Sequence, residues 1–214
     1  MIPLGDDNSL RKSTPIVNYA LILANVIFFL LELAGGEQFV LNWAFNPSRF
    51  LASPWTQFPT IFTAMFMHAG LAHIIGNMLY LWIFGDNVED RVGKLPYLLF
   101  YLICGVAATF AQLWMDPASN VPNLGASGAI GGVLGAYLWL FPGSKVNVLV
   151  VRSVTQLSAL VVIGFWLALQ FLGTFGALAS AGEGQGGVAY MAHLGGFVAG
   201  LGLAALFTRR ISPN

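Results

Sequence analysis

One serine and three histidines are the side chains best suited to carry out a reaction in this sequence. Ser127 lies in Asn123-Leu124-Gly125-Ala126-Ser127-Gly128-Ala129-Ile130-Gly131-Gly132, which follows a loop holding Asp116, Pro117 and Pro122 and opens an apolar stretch. A serine hydroxyl is a poor nucleophile until a base takes its proton, and a neutral histidine within hydrogen-bond reach is the usual base. His193, in Ala192-His193-Leu194-Gly195-Gly196, is the expected base. Attack on a carbonyl creates an oxyanion that needs prearranged donors. His73 and Asn77 are four residues apart, about 40° around a helix, so they share a face and can point at one target. With the backbone N–H groups at the head of the helix that Ser127 opens, they are the expected donors. His68 is five residues from His73 and diverges from it by about 140° on a continuous helix, which keeps it apart from the pair.

The elements that must position these residues are membrane helices. The 214 residues are 57% hydrophobic and only 8% charged, with a mean hydropathy of +0.75; soluble domains average about 25% charged residues. Six apolar runs near the roughly 20 residues needed to cross a bilayer are expected as spans: Ile16–Ala34, Leu71–Glu89, Leu95–Met115, Ser127–Phe141, Thr155–Leu178 and Val188–Phe207. The expected fold is therefore an all-α bundle of six transmembrane helices over residues 15–207, with short tails at 1–14 and 208–214, the first ten residues or so forming a mobile tail. No cleavable signal peptide is visible, because Asp6, Asp7, Arg11 and Lys12 precede the first run. Arg11, Lys12, Arg91, Lys94, Lys145, Arg152, Arg209 and Arg210 fall on one side of this topology and Arg49 on the other. That asymmetry places both termini in the cytoplasm, and a prokaryotic cell (inner) membrane is the expected location. A net charge of zero gives no reason to expect a nucleic-acid partner, and the single Cys104 reads as a small core residue.

The fourth run is short for its task. From Ser127 to Phe141 a helix rises only about 22 Å, against a hydrocarbon core of about 30 Å. Pro142-Gly143-Ser144-Lys145 holds the inner end at the surface, so Ser127 should start below the outer surface, under a loop over 117–126 that admits water. In this topology Ser127, His68, His73 and His193 all reach one outer level, and no acidic residue lies there to complete a triad, so a Ser-His dyad is expected. The pairs Gly128 and Gly132, Gly131 and Gly135, and Gly196 and Gly200 permit close approach of the fourth and sixth helices, which would carry Ser127 toward His193. Asn18, Asn25 and Glu32, spaced by sevens, should turn the first helix toward the bundle. The aromatic stretch between Gly35 and Gly70 suggests segments lying in the membrane interface. A shallow, glycine-lined site implies small side chains beside the bond attacked, and the Gly182–Gly187 loop and the fifth span are the expected movers on substrate entry.

The sequence resembles the rhomboid intramembrane serine proteases. The matching pieces are Gly125-Ala126-Ser127-Gly128 with Ala129-Ile130-Gly131, then Ala192-His193-Leu194-Gly195-Gly196 with Gly200, and His68 to His73-Ile74-Ile75-Gly76-Asn77. The resemblance implies a six-helix bundle with Ser127 as nucleophile and His193 as base. It also implies an oxyanion site of His73, Asn77 and the Ser127 N–H, with His68, Gly125 and Gly128 in support. Substrates would be membrane-anchored proteins cleaved in or near a transmembrane helix, with no metal or other cofactor. Two features differ from the family pattern: Pro59-Thr60 stands where many members carry a Trp-Arg pair in the first outer loop, and Gly131 stands where some carry a tyrosine that stacks on the histidine, so another group must orient His193.

Other classes fit less well. An inactive relative that holds transmembrane clients would be expected to lack Ser127 or His193. A permease would need an inverted repeat and more charge along its spans. A metalloprotease would need a motif such as His-Glu-x-x-His.

Overall fold

The structure, a computed structural model, describes residues 1–9, 11–179 and 189–208, most of them helical. Helix α1 (Ile16–Trp43) is followed by three short helices, α2 (Pro47–Ala52), α3 (Pro54–Gln57) and α4 (Thr60–Thr63), and by a 3-10 turn at Ala64–Phe66. The long helices α5 (Leu71–Val92) and α6 (Lys94–Met115) come next, then α7 (Ser127–Leu140), α8 (Ala159–Ala179) and α9 (Tyr190–Thr208). Helices α1 and α6 are long and apolar enough to cross a bilayer, and the Pro54–Phe66 and Leu71–Val92 segments, bent by 77°, together make a third such unit. Three shorter apolar helices, Ser127–Leu140, Ala159–Thr174 and Tyr190–Leu206, accompany them. All six sequence-derived runs thus contain helix, while two or three have the length and composition of a full span.

The region expected as interfacial segments is ordered by specific bonds. Gly36, with φ +59°, kinks α1, so the helix resumes beyond Ala34 and runs on to Trp43. The Thr63 hydroxyl donates to the Trp43 carbonyl at 2.7 Å, and the Asn46 side chain caps α2 by accepting from the Arg49 N–H at 3.0 Å. Glu32 is buried and its Oε2 accepts the His68 N–H at 2.9 Å, which ties this region to α1. Thr60 is buried and donates to the Gln57 carbonyl at 2.6 Å.

Helix α7 is the centre of the packing. Gly128 through Tyr137 are all buried on it, between α5, α6 and α9. A methyl added at Gly196 would meet the Gly128 carbonyl oxygen, and one at Gly200 would meet that of Gly132. The backbones of α7 and α9 therefore touch, as the small-residue pairs required. Asn18, Asn25 and Glu32 lie on the buried face of α1 as expected. The Asn18 amide donates to the Leu81 carbonyl at 2.9 Å and accepts from the Tyr97 hydroxyl at 2.8 Å, so its polar atoms are satisfied inside the bundle. Cys104 is fully buried.

Two expectations are corrected. The fold is not wholly helical, and the first residues are not a free tail: strand β1 (Ile2–Asp6) pairs antiparallel with β2 (Lys145–Val150), which pairs antiparallel with β3 (Ser153–Ser158). The fifth helix accordingly starts at Ala159 rather than at Thr155. The physical cause is the β-branched, alternating sequence from Lys145 to Gln156, which buries Val146 and Val148 on one face. Read as apolarity alone, the same residues blend into the following helix.

The sheet sits at the end of α7 remote from Ser127. The Asp6 carboxylate is fastened there, its Oδ2 accepting from the Tyr137 hydroxyl at 2.6 Å and the Asn87 amide at 2.7 Å, while Oδ1 is buried without a partner among the described residues. Burial is the dominant influence and pushes its pKa up to about 6, against the lowering effect of those two bonds. A carboxyl whose pKa is raised by folding holds more protons folded than unfolded between the ordinary value near 4 and about 6, so stability falls as pH rises through that window. Asp6→Asn should remove this part of the pH dependence. Thermal midpoints at pH 4.5 and 7.5 should converge in the variant relative to the parent, and an unchanged difference would contradict the assignment.

Candidate active site

Ser127 is the first residue of α7, so its N–H has no acceptor within the helix and points out of the positive end of the helix dipole. Its Oγ lies 2.6 Å from His193 Nε2, and His193 is buried on α9 one turn from its start. The contact follows from the glycines. Gly131, one turn after Ser127, is packed so closely on α9 that a methyl there would lie 2.7 Å from the His193 carbonyl oxygen.

His73 and Asn77 both lie on α5, as their spacing required. Gly125 joins His73 to the serine: a methyl at this position would lie 3.1 Å from His73 Nε2 and 3.4 Å from Ser127 Oγ. The imidazole edge and the hydroxyl thus face one small volume that any side chain at 125 would fill, and the φ of +137° there is another reason for glycine. The proton position on His73 is set by its other nitrogen. Nδ1 accepts the Ala69 N–H at 3.3 Å, so in the neutral ring the proton sits on Nε2 and that nitrogen is a donor toward the serine. Asn77 is buried and its Nδ2 has no partner among the described residues, which leaves a second donor uncommitted.

His68 does join this group, against the helical-wheel expectation. The chain breaks between Met67 and Gly70 instead of continuing the helix, and the turn folds the fully buried His68 ring edge-on against His73, with centroids 5.1 Å apart. The loop before Ser127 is held against the first outer segments: Phe45 and Asn123 exchange backbone bonds at 3.0 and 2.7 Å, and the Gly125 N–H donates to the Ala64 carbonyl at 2.9 Å. A cavity of about 40 Å³ opens beside Ser127, lined among others by Met65, Ala108, Gly128 and Ala192. Among the described residues no three His, Cys, Asp or Glu side chains group as a metal site. The Gly182–Gly187 loop, Arg209 and Arg210 lie outside the described residues.

Three neighbours of His193 were not anticipated. Gln170 on α8 meets His193 Nδ1 through its Oε1 at 2.6 Å. Trp166, one turn earlier, lies along the imidazole with centroids 5.9 Å apart and planes 35° apart, and Tyr190 meets it edge-on at 6.4 Å. The signal for Gln170 was present in a limited form: an amide inside an apolar helix is unusual and needs a partner. Which partner it finds depends on how α8 packs.

Comparison with known proteins gives the chain its relatives. The Rhomboid domain model matches residues 55–210. The chain is 32% identical over 203 residues to the rhomboid protease GluP of Bacillus subtilis (strain 168), covering 91% of this chain and 35% of that protein. It is 30% identical over 188 residues to the mitochondrial rhomboid protein 1 of Saccharomyces cerevisiae, covering 86% and 51%. Against the rhomboid protease GlpG of Salmonella paratyphi A it is 26% identical over 206 residues, covering 94% and 66%. This chain therefore spans between about a third and two thirds of the length of these relatives. The matched region takes in α5 through α9 and with them every side chain gathered around Ser127, and on that match the chain belongs to the rhomboid family.

Proposed function

We propose that this chain is an intramembrane serine endopeptidase that cleaves membrane-anchored proteins in or near a transmembrane helix. The observation that carries the reading is the 2.6 Å contact between Ser127 Oγ and His193 Nε2. His193 takes the hydroxyl proton as Oγ bonds to the substrate carbonyl carbon. His73 Nε2–H, the Asn77 amide and the Ser127 N–H donate to the oxyanion. As the C–N bond breaks, His193 returns the proton to the departing amine, leaving an ester on Ser127. Water, deprotonated by the same histidine, then releases the acid product and restores the hydroxyl. Each step needs only groups of this chain, the substrate and water.

In this reading residues 15–207 form a six-helix membrane domain, with the tails 1–14 and 208–214 and both termini in the cytoplasm of a prokaryotic cell. Helix α7 is short because it begins below the outer surface, where the loop ahead of it and the cavity beside Ser127 admit water. The serine-reactive probe is a fluorophosphonate: labelling of the purified chain should require both Ser127 and His193. Labelling that survives either substitution would overturn the proposal. The cavity of about 40 Å³, lined by Ala108, Gly128 and Ala192, suits a methyl-sized group better than an aromatic ring. Substrates with Ala beside the scissile bond should therefore be cut at least tenfold faster than those with Phe there, and a preference for Phe in a competition assay would refute the size limit.

A further inference from the structure

Gln170 is a buried amide on a helix that otherwise displays Leu160, Val161, Phe165, Leu169, Phe171 and Leu172. Its two ends have different partners. Nε2 donates to the Trp166 carbonyl at 3.1 Å, and Oε1 lies 2.6 Å from His193 Nδ1. A carbonyl can only accept, so the NH2 group must face Trp166 and the oxygen must face the imidazole. An oxygen without a proton requires one on Nδ1. In a neutral imidazole that leaves Nε2 bare, and Nε2 is the nitrogen 2.6 Å from Ser127 Oγ.

We propose that Gln170 is the positioning residue of His193, holding it in the Nδ1–H tautomer so that Nε2 can take the Ser127 proton, and accepting from Nδ1 while the ring carries charge. The proposal rests on the serine protease reading and names what orients the base. Helix α8 supplies a second constraint. The Trp166 Cη2 atom would lie 3.5 Å from a methyl at Gly131, so the tryptophan occupies space that a side chain at 131 would otherwise contest and bounds one side of the imidazole. The Thr174 hydroxyl donates to the backbone carbonyl of Gln170 at 2.9 Å. His193 and His73 thereby hold opposite tautomers, each set by the partner of the nitrogen facing away from the serine. One is an acceptor and the other a donor, as base and oxyanion donor require.

The test uses the full chain in liposomes, with the variants Gln170→Leu and Gln170→Glu. Leucine keeps the volume and removes the acceptor. It should lower kcat about 10- to 100-fold with KM nearly unchanged, the range seen when the outer partner of a metal-bound histidine is lost. Nitrogen-15 spectra of the imidazole should show the Nδ1–H form in the parent and a gain of the Nε2–H form in this variant. Glutamate restores an acceptor and should recover activity to within tenfold of the parent. A carboxylate there also favours the charged ring, so the acid limb of the pH–rate profile should move to higher pH. The titratable groups facing His193, His73 from α5 and Tyr190 from its own helix α9, are the same in every variant, so the movement reports position 170. Parental kcat and an unchanged tautomer in Gln170→Leu would overturn the proposal. So would equal losses in both variants with no change of pH profile, which is what a packing role alone produces. If the parent neither cleaves nor takes the fluorophosphonate, the protease reading fails, and the imidazole spectra still decide what Gln170 does.

Discussion

Ser127→Ala is expected to lower cleavage of a transmembrane substrate by at least about 10⁴-fold, because loss of the nucleophile leaves only binding and the oxyanion donors to act. His193→Ala should cost about as much, and the double variant little more than either alone, since the two residues act as one unit. The fold should survive. Ser127 opens α7, where alanine is a good helix former, and the hydroxyl removed bonds to His193 Nε2. Its net worth is about 1 kcal/mol, within reach of a thermal-unfolding measurement beside the cleavage assay. Cleavage by the alanine variant above about one hundredth of the parental rate would exclude Ser127 as the nucleophile.

The second large effect is structural in origin and functional in outcome. Gly196→Val should lower the thermal midpoint sharply and abolish cleavage together, although position 196 has no part in the chemistry. Its added carbons would meet the Gly128 backbone, and a collision between two backbones cannot be relieved by turning a side chain. Overpacking against adaptable side chains costs about 1–3 kcal/mol, and this contact belongs at or beyond the upper end. The remaining escape is to part α9 from α7, which carries His193 away from Ser127. Gly202→Ala on the same helix is the control: none of the described residues lies within 4 Å of a methyl there, so stability and cleavage should be close to parental. Equal effects of the two substitutions would mean that helix propensity, and not close approach, sets the response.

Much of the site was legible because its signals are local and periodic. His73 and Asn77 share a face through a four-residue step, and the small-residue pairs of α7 and α9 announce a close crossing. The short fourth helix was also readable, since α7 closes at Leu140 after 14 residues. His68 was misplaced because the angle calculation assumes an unbroken helix, and the chain breaks just before Gly70. The sheet was missed for a related reason: hydropathy sums cannot separate a two-residue alternation from the start of an apolar helix, and β1 finds its partner some 140 residues along the chain.

What the sequence by itself determined is the chemistry available: one serine at the head of a short helix, a histidine on a glycine-bearing neighbour, and donors on a third helix, each specified by residue type and short-range spacing. The tertiary structure alone decided which ring nitrogen carries the proton in His73 and in His193. A tautomer depends on the partner of the far nitrogen, and these partners, the Ala69 N–H for His73 and Gln170 for His193, are chosen by a turn and by how α8 packs on α9. No periodicity within a single segment encodes that choice, because it is a contact between segments.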